Sequence, residues 1–128
     1  MHHQVEQFVE RINEVRAGLV AVSTRLDEIA DEIMQLQEKG VFDEIPSESW
    51  ETRNGGETRY LRLVFPTTQG ARRKMYVGAD PGKIAEAQAK IERSRRNREL
   101  LAEEKRLCHR LERASYRLAD ANAACLGS

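Results

Sequence analysis

Aromatic residues are scarce in this chain: three Phe, three Tyr and one Trp in 128 residues. Such rings dominate the core of a large globular domain, so their scarcity points instead to long solvated helices. Cysteine is limited to Cys108 and Cys125, which have no framework spacing. A disulfide scaffold is therefore not expected, and the two thiols read as a reduced, cytoplasmic pair. The three histidines, His2, His3 and His109, form no ligand set with cysteine or carboxylate at metal spacing. Cys108 and His109 are adjacent and leave a helix on different faces. No metal site and no cofactor is expected. No apolar run approaches the roughly 20 residues that span a bilayer. The polar start, Met1-His2-His3-Gln4, shows no secretory signal, so membrane association is not expected and the cytoplasm is the expected compartment. No serine stands in a nucleophile elbow, and the glycines around Gly78 and Gly82 make no phosphate loop. Carboxylate pairs abound, as solvated helices require. The chain is not expected to be an enzyme, and no catalytic residue is assigned.

What is present is periodic. Val5, Phe8, Ile12, Val15, Leu19, Val22, Leu26, Ile29, Ile33 and Leu36 are separated by unbroken alternating gaps of three and four. This is the seam of a coiled coil, and it must be buried against a partner. Helix one is placed at 4–39, with Gly40 as the residue that ends it. Residues 40–49, with Pro46, read as a connector. Asn54-Gly55-Gly56 is a hairpin turn between Trp50-Glu51-Thr52-Arg53 and Arg59 to Phe65. In the second run Leu61, Leu63 and Phe65 share one face, and Tyr60, Arg62 and Val64 the other. A turn at 66–70 leads to a third strand, Arg72 to Val77, and the sheet spans 50–78. Three short strands need a helix over their apolar face. Asp80-Pro81 then opens helix two at 81–123, with Asp80 as cap and Pro81 at the first helical position.

Both helices leave the same small sheet, so an antiparallel hairpin is the simplest arrangement. Matching the seams sets Leu118 against Val5, Ala114 against Phe8, Leu111 against Ile12, Leu107 against Val15, Leu100 against Val22 and Ala87 against Leu36. Small opposite large favours interdigitation. The match fails where Glu104, Asn97 and Ser94 fall opposite Leu19, Leu26 and Ile29. Helix one therefore has a second client, or helix two shifts to restore the match. The preferred client is another copy of the chain, giving a homodimer with a four-helix core through Phe8, Ile12, Val15, Leu19, Val22, Leu26, Ile29 and Ile33.

The net charge of zero hides a division. Residues 27–57 hold ten acids and two bases, net −8; residues 58–110 hold fourteen bases and six acids, net +8. Such blocks mark either a nucleic-acid surface or two segments that neutralise each other. Residues 59–77 contain no acid. Arg59, Tyr60, Arg62, Arg72, Arg73, Lys74 and Tyr76 are the candidate nucleic-acid contacts, with Arg62, Arg72 and Lys74 on one face beside Tyr60 and Tyr76. Basic residues interleaved with aromatics can hold a phosphate backbone or stack on bases. The alternative is a solvated face whose charges resist edge-to-edge aggregation, or one covered by the acidic connector through Asp43, Glu44 and Glu48. A second cluster, Arg93, Arg95, Arg96 and Arg98, either clamps phosphates or pairs with Asp27, Glu28, Asp31 and Glu32 across the hairpin; the second reading is preferred.

Residues 50–91 resemble the small arm-type DNA-binding domains of phage integrases. The likeness rests on Trp50, a turn, Tyr60-Leu61-Arg62-Leu63-Val64, a glycine turn, Arg72-Arg73-Lys74-Met75-Tyr76-Val77-Gly78, and a helix with Ala85-Glu86-Ala87. That family packs a three-stranded sheet on a helix and lays the sheet in the DNA major groove. The resemblance implies Arg62, Arg72 and Lys74 as contacts. The long first helix departs from the pattern. The whole layout is also similar to an uncharacterised prokaryotic family often carried by mobile elements, although the Cys-Gly-Lys segment common there is missing here.

The expected fold is α+β: one domain, 1–128, in which a long antiparallel helical hairpin is capped by a three-stranded antiparallel sheet. The expected function is that of a non-enzymatic accessory protein of a prokaryote or mobile element that dimerises and binds DNA or RNA. The alternative is a coiled-coil scaffold that binds only another protein.

Overall fold

The structure is a computed structural model, which describes residues 2–53, 55–66 and 73–127. The fold is α+β. Its elements are α1 (His3–Lys39), β1 (Ser47–Thr52), β2 (Arg59–Val64), β3 (Lys74–Gly78) and α2 (Pro81–Cys125). The chain forms two compact units, Met1–Ile33 with Leu100–Ser128, and Met34–Glu99. Asn54 of the first expected turn, most of the second turn and Arg72 lie outside the described residues.

The unit Met34–Glu99 is built around β2. The strands are ordered β1-β2-β3 and both pairings are antiparallel. Alternation along β2 turns Leu61 and Leu63 to one face, where both are fully buried, and Phe65 just beyond is 3% exposed. Ala87 and Ile91 of α2 cover them, and Phe42, Ile45, Trp50, Val77 and Ile84 pack around the cluster. The rings of Phe42 and Phe65 meet edge to face at 5.4 Å. These residues supply the apolar surface whose removal from water holds the unit together.

The strand boundaries differ from the sequence reading at both ends of β1, at the end of β2, which stops at Val64, and at both ends of β3. β1 starts at Ser47, so the connector ends at buried Pro46. Ser47-Glu48-Ser49 has little strand propensity, and it is the free edge of β2, pairing Ser47 with Val64, that extends the strand. β3 ends at Gly78 instead of Val77. A bulge intervenes: Leu61 pairs with Gly78 and Arg62 with Tyr76, leaving Val77 as the extra residue. Gly78, at φ 103°, takes the backbone conformation that such an irregularity needs.

The junctions are closed by specific hydrogen bonds. Gly40, at φ 106°, ends α1, and its amide donates to the Leu36 carbonyl at 3.0 Å. Arg93 Nε donates to the Gly40 carbonyl at 2.8 Å, capping the negative end of the helix. The buried Ser94 hydroxyl accepts the Phe42 amide at 2.8 Å and donates to the Lys90 carbonyl at 2.7 Å. Asp80 accepts the Gly82 amide at 3.1 Å and caps α2 behind Pro81.

In the other unit Ile29 is fully buried, Leu100 and Leu107 are nearly so, and Leu19, Val22, Leu26 and Ile33 are half-buried. Toward the start of α1 the stripe opens: Val5, Phe8, Ile12 and Val15 are 39–48% exposed. Arg25 of α1 makes a two-pronged bond to Glu103 of α2, at 2.7 and 2.8 Å. A planar guanidinium meets a carboxylate through two parallel donors, which makes this pair strong and directional. The Arg25 guanidinium is held above its ordinary value, first by the Glu103 bond and then by Glu28. Cys108 and Cys125 are both exposed.

Candidate nucleic-acid interface

The face of the sheet opposite Leu61 and Leu63 follows from the register. Ser49 pairs with Arg62, Glu51 with Tyr60, and Arg62 with Tyr76. Side chains directly opposite in a pleated sheet share a face. Tyr60, Arg62 and Val64 of β2 therefore stand with Lys74 and Tyr76 of β3, and with Ser47, Ser49 and Glu51 of β1. Tyr76 is 52% exposed and Lys74 is exposed; Tyr60 and Arg62 are half-buried. Arg62 lies 3.8 Å from Glu51, the acid on this face, and its buried Nε makes no hydrogen bond to a described residue.

The seven residues selected from the sequence divide. Tyr60, Arg62, Lys74 and Tyr76 come together. Arg59 and Arg73 do not join them. Arg59 pairs with Thr52 and covers the Trp50 ring at 4.9 Å, and Arg73 covers Phe65 at 4.4 Å. Both belong to the core side by strand parity, where their guanidinium groups shield ring edges from water. Arg72 is outside the described residues.

One participant was missed. Arg53, just after β1, places its guanidinium 4.5 Å from the Tyr60 ring centroid and 5.3 Å from that of Tyr76. Its Nη2 donates to the Tyr76 hydroxyl at 3.0 Å. The signal was present in the sequence: Arg53 follows Glu51 by two, and so shares its side of the strand. It lies outside the acid-free stretch 59–77.

The acidic connector does not send its apolar residues to this face. Phe42 and Ile45 pack into the core, and Asp43 and Glu44 are exposed. Glu48 accepts from the Trp50 indole at 3.4 Å. The second arginine cluster is also reassigned in part. Arg93 binds the carbonyls of Gly40 and Lys39 at the end of α1, and Arg95 pairs with Glu92 of its own helix. Arg96 lies 3.5 Å from Glu99.

Among the described residues no three His, Cys, Asp or Glu side chains converge on a place for a metal ion. No described helix is long and apolar enough to cross a membrane. The arrangement can present cations and hydroxyls to an anionic partner across a two-strand surface. Comparison with protein families, curated proteins and solved structures yields no match for this chain.

Proposed function

We propose that this chain is a non-enzymatic nucleic-acid-binding protein that contacts phosphates through the Tyr60–Arg62–Lys74–Tyr76 face and dimerises through α1. The observation that carries the reading is the sorting of side chains by the sheet. The core takes Leu61, Leu63 and Phe65, and the opposite face gathers two cations and two tyrosines, with the connector's Phe42 and Ile45 packed in the core. Phosphate contacts of this kind fix a protein on a polyanion without reading sequence. Dimerisation is supported by the 39–48% exposure of Val5, Phe8, Ile12 and Val15, a continuous apolar stripe that a coiled-coil or four-helix arrangement would cover. In this reading α1 and α2 form an antiparallel hairpin whose outer end associates with a second copy.

The test is titration of labelled duplex and single-stranded oligonucleotides, read by fluorescence anisotropy, with the Arg62→Ala, Arg72→Ala, Lys74→Ala triple variant beside the native chain. Loss of about three phosphate contacts lowers the slope of log K against log salt by roughly 3 in magnitude. Unchanged binding by the triple variant removes the sheet face as the site.

The runner-up is a scaffold that binds only protein. The net −8 and +8 segments favour it, since opposite blocks in two copies attract. It requires salt-sensitive association with no retention of nucleic acid.

A further inference from the structure

The two tyrosines of the proposed face suggest stacking platforms for unpaired bases. The position of Arg53 argues otherwise. A single guanidinium lies within cation–π distance of both rings, at 4.5 Å from the Tyr60 centroid and 5.3 Å from the Tyr76 centroid. It therefore covers a face of each ring that an incoming base would use. The hydrogen bond from Arg53 Nη2 to the Tyr76 hydroxyl, at 3.0 Å, adds a directional contact to the two ring contacts. Arg53 itself is exposed, and its remaining N–H groups donate to no described residue.

Resting on the reading above, we infer that Arg53 is the residue through which this face grips a phosphodiester, and that Tyr60 and Tyr76 are its positioning residues instead of base-stacking platforms. The chemistry supports a phosphate as ligand. A guanidinium presents parallel donors that match two phosphate oxygens, and a fork already ordered by two rings loses less freedom when it binds. Arg62, which pairs with Tyr76 across the strands, and Lys74 supply charge on the same surface. Glu51, 3.8 Å from Arg62, offsets part of that charge and leaves Arg53 as the cation of the face without a carboxylate partner that is held in place by aromatic contacts. A ligand gripped by its backbone is a duplex or a structured strand; a ligand gripped by stacking would be an unpaired strand with exposed bases.

The experiment compares a 20-base-pair duplex with single-stranded oligonucleotides of the same length, by anisotropy over a series of salt concentrations. It uses the native chain, Arg53→Ala, Arg53→Lys and Tyr76→Phe, each checked for native helix content by circular dichroism. We expect the duplex to bind at least as tightly as the single strands. We expect Arg53→Ala to reduce the salt slope by about 1 in magnitude, as loss of one phosphate contact requires. Arg53→Lys should keep the slope and weaken binding several-fold, because charge survives and the fork does not. Tyr76→Phe should also keep the slope and weaken binding, because it frees the fork without removing charge. Native binding with an unchanged Arg53→Ala slope overturns the inference and leaves the sheet-face reading standing. Tighter binding by Arg53→Ala to single strands, through uncovered tyrosine rings, overturns it as well. No binding by the native chain overturns both.

Discussion

Arg93 Nε donates to the carbonyl of Gly40 across 2.8 Å, joining the end of α1 to the fourth turn of α2. Its Nη2 reaches Lys39 at 3.4 Å. A cation set on the free carbonyls of a helix end is favoured both as a hydrogen-bond donor and by the helix dipole. Arg93→Ala should therefore lower stability by about 1.5–3 kcal/mol, the scale of a charge-assisted hydrogen bond. Arg95→Ala, which removes an exposed pair with Glu92 one turn along the same helix, should change it by less than about 0.5 kcal/mol. Urea unfolding of both variants checks the contrast; equal effects would remove the capping role.

Ser94 gives a second test of the same junction. Its hydroxyl is the acceptor for the Phe42 amide, in a site only 3% exposed. Ser94→Ala leaves that amide without its acceptor and should cost about 1–3 kcal/mol. Hydrogen exchange at the Phe42 amide should accelerate along with the loss of stability. Protection unchanged at Phe42 would show that the bond is not made in solution.

Much of the fold could be read from the sequence because its signals were local and redundant. The alternating gaps of α1, the glycine at position 40 and the Asp80-Pro81 pair each mark a helix boundary, and the observed ends fall within two residues of the expected ones. The parity of Leu61, Leu63 and Phe65 gave the core face of the sheet. Nonlocal effects were not legible. Ser47-Glu48-Ser49 becomes a strand only because β2 offers an edge, and a bulge at Val77 is invisible to a strict period of two. The Arg25–Glu103 bond is not legible in the spacing of apolar positions, because it depends on the reach and direction of long side chains. For the candidate site, parity correctly grouped Tyr60, Arg62, Lys74 and Tyr76. Arg59 and Arg73 were counted by charge alone, although the same parity sends them to the core side.

The core should respond far more strongly than the proposed binding face. Leu61 is fully buried against Ala87 and Ile91, so Leu61→Ala should cost about 2–5 kcal/mol. Lys74→Ala, on the exposed face, should stay within about 0.5 kcal/mol. Thermal melts followed by circular dichroism separate the two. A large loss for Lys74→Ala would mean that this residue is structural, and the sheet face would lose its standing as a free surface.

Association through α1 makes a concentration-dependent prediction. Ile12→Asp with Val15→Asp places two charges in the part of the stripe that is about 40% exposed. We expect this variant to remain helical yet sediment as a monomer where the native chain is a dimer, since a charge in a buried seam must be desolvated. A native chain that is monomeric at every accessible concentration would remove the dimer.

Light scattering of the native chain, alone and with a short duplex or a single strand at low and moderate salt, tests nucleic-acid binding most directly. We expect a dimer that gains the mass of an oligonucleotide at low salt and loses it as salt rises. A particle whose mass is indifferent to every oligonucleotide at low salt would contradict nucleic-acid binding and leave the protein scaffold as the reading.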